Sequence, residues 1–181
     1  MDIRSVEQWC WGIDGRTQTL AVQVGGEYRH HTPYRLADLN TTAAIAGRWN
    51  LDDLGWLLEA LESISQHLTI DEAQALPWAV AAVAARNFYA SRQPKSWLFL
   101  PSTARLTLSA GNVVELQHAH GHATLLVVDA GDPASTLMLL DEALIIDGQR
   151  PLRRGAILRM MNDRVQRYAA TAVAGSWRDV G

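Results

Sequence analysis

Two runs near the N-terminus alternate between apolar and polar positions. Trp9, Trp11 and Ile13 are interleaved with Gln8, Cys10 and Gly12; Leu20, Val22 and Val24 are interleaved with Thr19, Ala21 and Gln23. Successive strand side chains point to opposite faces, so each run predicts a half-buried strand. Asp14-Gly15 between them is a hairpin signal. Gly25-Gly26 marks a second turn, leading to a third strand through Tyr28. The chain is therefore expected to open as an antiparallel meander. His30-His31-Thr32-Pro33 reads as a loop, and Asn40-Thr41-Thr42 has the composition of a helix cap.

The period then lengthens. Leu51, Leu54, Leu57, Leu58, Leu61 and Ile64 recur on one helical face, with Asn50 as cap and Asp52 and Asp53 in the first turn. Thr69 and Glu72 have the spacing of a capping box for a second helix at about residues 70–91. Ala73, Leu76, Val80, Val83, Ala84 and Phe88 follow helical spacing there, and Trp78 to Ala85 is apolar nearly all round. A helix without a polar face is buried, which makes this one the expected centre of a first lobe. Pro77 is expected to kink it or shorten its first turns.

Pro94-Lys95-Ser96-Trp97-Leu98-Phe99-Leu100 is the seam between this region and a series of short strands. Pro94 ends the helix, and Trp97 to Leu100 reads as a strand apolar on both faces. Beyond it lie Leu106/Leu108, Val114/Leu116, Leu125–Val128, Leu137–Leu140 and Leu144–Ile146, separated by turn signals at Ala110-Gly111-Asn112, Gly121, Gly131-Asp132-Pro133 and Asp147-Gly148. Five or six strands so spaced predict a small barrel or sandwich. Residues 156–168 fit a helix through Ile157, Met160, Met161, Val165 and Tyr168, or a last strand; the favoured reading is a strand to Met161 and a turn at Asn162-Asp163. The expected class is α+β. An N-terminal α/β domain (residues 1–93) precedes a C-terminal β-barrel domain (94–168) and a loose tail (169–181).

Composition narrows the function. A hydrophobic share of 48% in 181 residues suffices for a real core. No apolar run reaches the roughly 18–20 residues of a membrane span, and the first residues lack a signal-peptide core. Cys10 is the single cysteine, which suits a reducing compartment. These features predict a cytoplasmic protein with no membrane partner. The net charge of −3 argues against nucleic acid as a partner. Yet Arg150, Arg153, Arg154, Arg159, Arg164 and Arg167 face only Asp163 in their segment, a basic stretch suited to an acidic partner or simply to solvent.

His118, His120 and His122 would share one face of a strand, as metal ligands can. Gly121 interrupts them where a turn is expected, which favours a solvated loop and no metal. There is no phosphate-binding glycine loop, nucleophile elbow or zinc cysteine pair. Asp52, Asp53, Asp71 and Glu72 read as helix-start carboxylates, and Trp9, Trp11, Trp56 and Trp78 as core. No catalytic residue and no cofactor is expected. The residues describe a two-lobed binding protein rather than an enzyme. Two rivals stand beside that reading: a small-barrel nucleic-acid-binding protein using the arginines, and a small metal or ligand enzyme using the histidines.

Several motifs in fixed order carry a resemblance. They are Trp9-x-Trp11 with Asp14, Pro94-Lys95-Ser96-Trp97 with Phe99, Leu125-Leu126-Val127-Val128 with Gly131, then Gly148, Gly155-Ala156 and Met161-Asn162-Asp163-Arg164. In these the sequence resembles the ZapC family, the Z-ring-associated proteins of bacterial cell division. The resemblance is weakest over 30–68 and after 168. It implies an α/β lobe followed by a small Tudor-like barrel. It also implies direct binding to the acidic, tubulin-like GTPase FtsZ, bundling of its filaments, stabilisation of the Z ring at midcell and reduced GTP turnover, without a cofactor. The candidate FtsZ-binding residues are Arg92, Lys95 and Trp97 at the seam, Leu20 and Val22 as part of an apolar cleft in the first lobe, and Arg159 and Arg164 on the barrel. A monomer touching two filaments through two patches, or a weak homodimer with one, would bundle equally well.

Overall fold

A computed structural model of the protein describes residues 8–25, 29–40, 47–90, 93–94, 96–103, 106–146 and 150–168. The N-terminal alternation forms β1 (Cys10–Asp14), β2 (Thr19–Gln23) and β3 (Arg29–Arg35), antiparallel in that order. Asp14 organises the first turn: its Oδ1 accepts the N–H groups of Thr17 and Arg16 and the Thr17 hydroxyl. The Thr17 N–H, then its hydroxyl, favour the ionised carboxylate and lower its pKa to about 2.

His30 to Pro33, expected as a loop, lie inside β3. Thr32 and Tyr34 are buried while His31, Pro33 and Arg35 are exposed. The alternation is present but uses a threonine as an inward residue. The Thr32 hydroxyl donates to the Leu20 carbonyl at 2.8 Å, beside a register shift in the β2–β3 pairing. An edge strand tolerates Pro33, whose missing N–H would break an interior ladder. Tyr28, Thr41 and Thr42 lie outside the described residues.

Helix α1 (Leu51–Leu68) starts where its cap predicts. Asn50 Oδ1 accepts the Asp53 N–H at 2.8 Å and Asp53 Oδ2 accepts the Asn50 N–H at 3.1 Å. Asp53 also accepts from Asn87 Nδ2 at 2.6 Å, tying the helix start to α2 (Glu72–Phe88). The buried arc runs through Trp56, Leu57, Ala60, Leu61 and Ile64; Leu51 and Leu58, expected on that face, fall outside it and are exposed. Thr69 does not open a capping box. It closes α1 in the left-handed region, and Asp71 caps α2 by accepting the Gln74 N–H at 2.8 Å. A β-branched residue is strained at φ 52. Thr69→Gly is therefore expected to add about 1 kcal/mol of stability, read as a rise of about 2–4 °C in thermal midpoint.

Pro77 lies within α2, which runs on past it to Phe88. Ala79 to Ala85 are buried on every side. Their small side chains let α1, the first sheet and a second sheet close on one helix. That second sheet has the order β10-β4-β5-β6-β9 and is antiparallel throughout. Its strands are β4 (Val113–His118), β5 (Gly121–Asp129), β6 (Ala134–Leu139), β9 (Ile157–Met161) and β10 (Val165–Arg167). A short hairpin, β7 (Ala143–Leu144) with β8 (Leu152–Arg153), stands beside it.

The unbroken Leu125–Val128 run is explained by burial on both faces. Leu126 and Val128 join the core around α2, with Met138 and Leu140 from β6 and its end. Leu125 and Val127 join a second core with Val114, Leu116, Leu137, Leu139, Leu158, Met160 and Val165. The favoured reading of 156–168 holds: β9 ends at Met161 and a 3-10 turn, Asn162–Arg164, leads into β10. Leu106 and Leu108, expected as a strand, pack on the second core as irregular chain. The molecule is mixed α+β with antiparallel sheets. A ring of strand pairings closing a barrel is absent among the described residues, where β9 and β10 are the sheet's two edges.

The seam departs most from expectation. Ser96–Leu98 is a 3-10 turn rather than the start of a strand. Phe99 is the one member of the apolar run fully buried in the core, and Leu98 packs against it half-buried; Trp97 is 73% exposed and Leu100 45%. The segment is a strap pinned from several sides. Ser96 Oγ accepts the Met161 N–H at 2.9 Å, Arg164 Nη1 donates to the Phe99 carbonyl at 3.2 Å, and the Leu100 and Ser102 N–H groups donate to Gln117 and Asp163. Those bonds link both ends of the β9–β10 turn to β4.

Candidate functional site

A groove of about 420 Å³ opens where the two halves of the chain meet. Pro33, Tyr34, Asp38 and Tyr89 form one wall. Leu98 from the strap, Leu144, Ile146 and Leu152 from the hairpin, and Ile157 and Leu158 from β9 form an apolar floor and far wall. Arg150, Arg153, Arg154 and Arg159 rim it. None of the four is in an ion pair among the described residues. Among the described residues Asp38 is the one acidic residue lining the groove. The site thus offers excess positive charge around an apolar patch, the arrangement that receives an acidic surface bearing an apolar side chain.

The groove is tied together through Tyr34. Its hydroxyl donates to the Gly155 carbonyl at 3.0 Å and lies 3.6 Å from Met138 Sδ. Burial, then the neighbouring Tyr89, push its pKa well above the usual phenol value, so it stays a neutral donor.

The candidate residues scatter on this frame. Arg159 is on the groove rim, its Nη1 3.5 Å from Thr136 Oγ1. Trp97 projects outward, one residue from the groove-lining Leu98. Arg164 pins the strap and pairs with Asp163 at 3.3 Å. Leu20 and Val22 are fully buried core residues, not part of an open cleft. Arg92 and Lys95 lie outside the described residues. Absent from the candidates were Arg150, Arg153 and Arg154, whose signal was the basic run; Tyr34, whose inward place in β3 a loop expectation hides; and Tyr89, which directly follows α2 and carries no local signal.

The histidines do not converge as one face of a strand would make them. His118 ends β4, buried beside the Phe99 ring and 6.4 Å from the His120 ring in the turn, while exposed His122 lies 3.9 Å from Glu115. Trp9, Trp11 and Trp56 are core, as expected, and Trp78 is half-buried.

Residues 91–171 match the family model described as cell-division protein ZapC, C-terminal. That span holds the strap, the second sheet and all four rim arginines. Relatives extend the likeness to the first lobe. The chain is 27% identical over 159 residues to the cell division protein ZapC of Shewanella frigidimarina, covering 88% of this chain and 90% of the relative. It is 26% identical over 166 residues to that of Photobacterium profundum (91% and 92%) and over 168 residues to that of Vibrio vulnificus (92% and 93%). The likeness to cell division proteins named ZapC thus runs nearly end to end. The groove is composite: its arginines fall inside the matched C-terminal span, and Pro33, Tyr34, Asp38 and Tyr89 fall before it. Among the described residues no helix is long and apolar enough to cross a membrane.

Proposed function

We propose that this chain is a cell division protein that binds FtsZ directly and promotes lateral association of its filaments. In this reading it stabilises the Z ring, lowers GTP turnover, and works in the cytoplasm at midcell as a non-enzymatic, cofactor-free partner. The observation that carries the reading is the arginine-rimmed apolar groove, whose charge is not balanced by ion pairs among the described residues. An acidic filament supplies the complementary charge. Exposed Trp97, next to groove-lining Leu98, extends the contact, since an exposed tryptophan is a common interface anchor. Arg92 and Lys95 belong to the same seam in sequence. In the same reading the second sheet is the open frame of a small Tudor-like barrel, with the strap spanning the gap between β9 and β10. Bridging needs a second contact surface or weak self-association, which sedimentation velocity of the protein alone distinguishes.

The test is sedimentation of GTP-assembled FtsZ with and without this protein. Co-pelleting, thicker bundles and slower phosphate release are expected. If Lys95→Glu leaves pelleting unchanged, Lys95 has no part in the contact. Absence of both pelleting and bundling at micromolar concentration would remove the FtsZ reading and leave the nucleic-acid rival, recognisable by a salt-sensitive mobility shift.

A further inference from the structure

The four rim arginines are held very differently. Arg150 and Arg153 are exposed, and their side chains make no hydrogen bond among the described residues. Arg154 is fixed. Its Nε–H donates to the Leu140 carbonyl at 2.7 Å, and its guanidinium carbon lies 5.8 Å from the centre of the Trp78 ring. That distance is within cation–π range.

The backbone beneath it is equally constrained. The Arg154 N–H donates to Glu142, the Gly155 N–H to Leu139 and the Ala156 N–H to Arg153. Gly155 has φ +83, and a Cβ there would come within 3.1 Å of the Trp78 ring and 3.2 Å of Pro33. With the Tyr34 hydroxyl on the Gly155 carbonyl, the turn sits in a socket of Pro33, Tyr34 and Trp78. All three belong to the first half of the chain.

We propose that Arg154 is the group that fixes an occupant's carboxylate in the groove, and that Trp78 is its positioning residue. With Nε engaged and the indole beside the guanidinium, the two terminal nitrogens are the donors left for a carboxylate. An arginine ordered before binding loses less side-chain entropy when it binds. Arg150 and Arg153 supply longer-range attraction, and the apolar floor takes the side chain next to the acid. The occupant is therefore an acidic segment with an apolar residue adjacent to its carboxylate. This deepens the reading of the groove as a partner surface and rests on it.

The experiment follows the Arg154 Nε–H resonance by NMR, without and with an acetylated Glu-Leu-Glu tripeptide at millimolar concentration. Wild-type protein should show a slowly exchanging Nε–H that shifts as peptide is added. Trp78→Phe, which keeps an aromatic face, should preserve both behaviours. Trp78→Leu should speed exchange and weaken the peptide about tenfold, close to the loss from Arg154→Gln. The Trp78→Leu/Arg154→Gln pair should lose no more than Arg154→Gln alone. Thermal unfolding of each variant controls for the fold. An Arg154 signal unmoved by peptide, an affinity indifferent to Trp78→Leu, or additive losses in the double variant would each overturn the proposal. If the peptide shifts Arg154 yet FtsZ filaments are not bound, the FtsZ reading fails and the carboxylate site stands.

Discussion

Replacing Phe99 by alanine is expected to cost about 3–5 kcal/mol of stability. Phe99 is the strap's one fully inserted side chain, 2% exposed, in the core built by β4, β5, β6, β9 and β10. Removing it deletes an aromatic ring from a packed interior and leaves a cavity lined by strands that cannot collapse inward without breaking their pairings. The strap's other fastenings compound the loss, because the Arg164 and Gln117 bonds flank Phe99 and depend on its seat. Trp97→Ala, two residues away, is expected to change stability by less than about 0.5 kcal/mol, because that side chain is mostly in solvent. Urea denaturation of both variants checks the contrast. A Phe99→Ala loss no larger than that of Trp97→Ala would mean the strap does not hold the sheet.

That contrast also shows what the sequence carried and what it hid. The apolar run Trp97 to Leu100 was legible as a packing element, but not which of its four side chains packs. Strand periodicity assumes a regular ladder, whereas here the path is set by non-local partners, Met161, Asp163, Arg164 and Gln117, that no local window contains. The α2 centre was legible because burial on all sides leaves an unambiguous composition from Trp78 to Ala85. The Asn50 cap was legible because capping is local chemistry between residues three apart. β3 was not, because its inward positions include Thr32 and its outward ones a proline.

The groove was legible only as charge. The run from Arg150 to Arg167 stood out in an acidic chain, yet its members do different work once folded. Arg164 is a structural pin, Arg154 is seated on Trp78 from an element more than seventy residues earlier, and Arg150 and Arg153 are exposed. Sequence spacing cannot assign these roles, since each depends on which distant carbonyl or ring the guanidinium meets.

Under the proposed function, reversing Arg150 and Arg153 together to glutamate is expected to weaken FtsZ binding by about 10–100-fold at low salt, with most of the loss in association rate. Both side chains are exposed and without internal bonds among the described residues, so the fold should persist. The change moves the groove rim by four charge units without altering its floor. Raising ionic strength should shrink the difference between variant and wild type, because screening acts most on exposed charges. Arg164→Glu is the instructive contrast: it removes the donor to the Phe99 carbonyl and is expected to lower stability, so a binding loss there reports on the strap. Biolayer interferometry at several salt concentrations, paired with thermal unfolding, separates the two. An unchanged affinity in the Arg150/Arg153 double variant at low salt would place the FtsZ contact away from this groove. A loss that persists undiminished at high salt would mean that the rim acts through direct contacts rather than through its field.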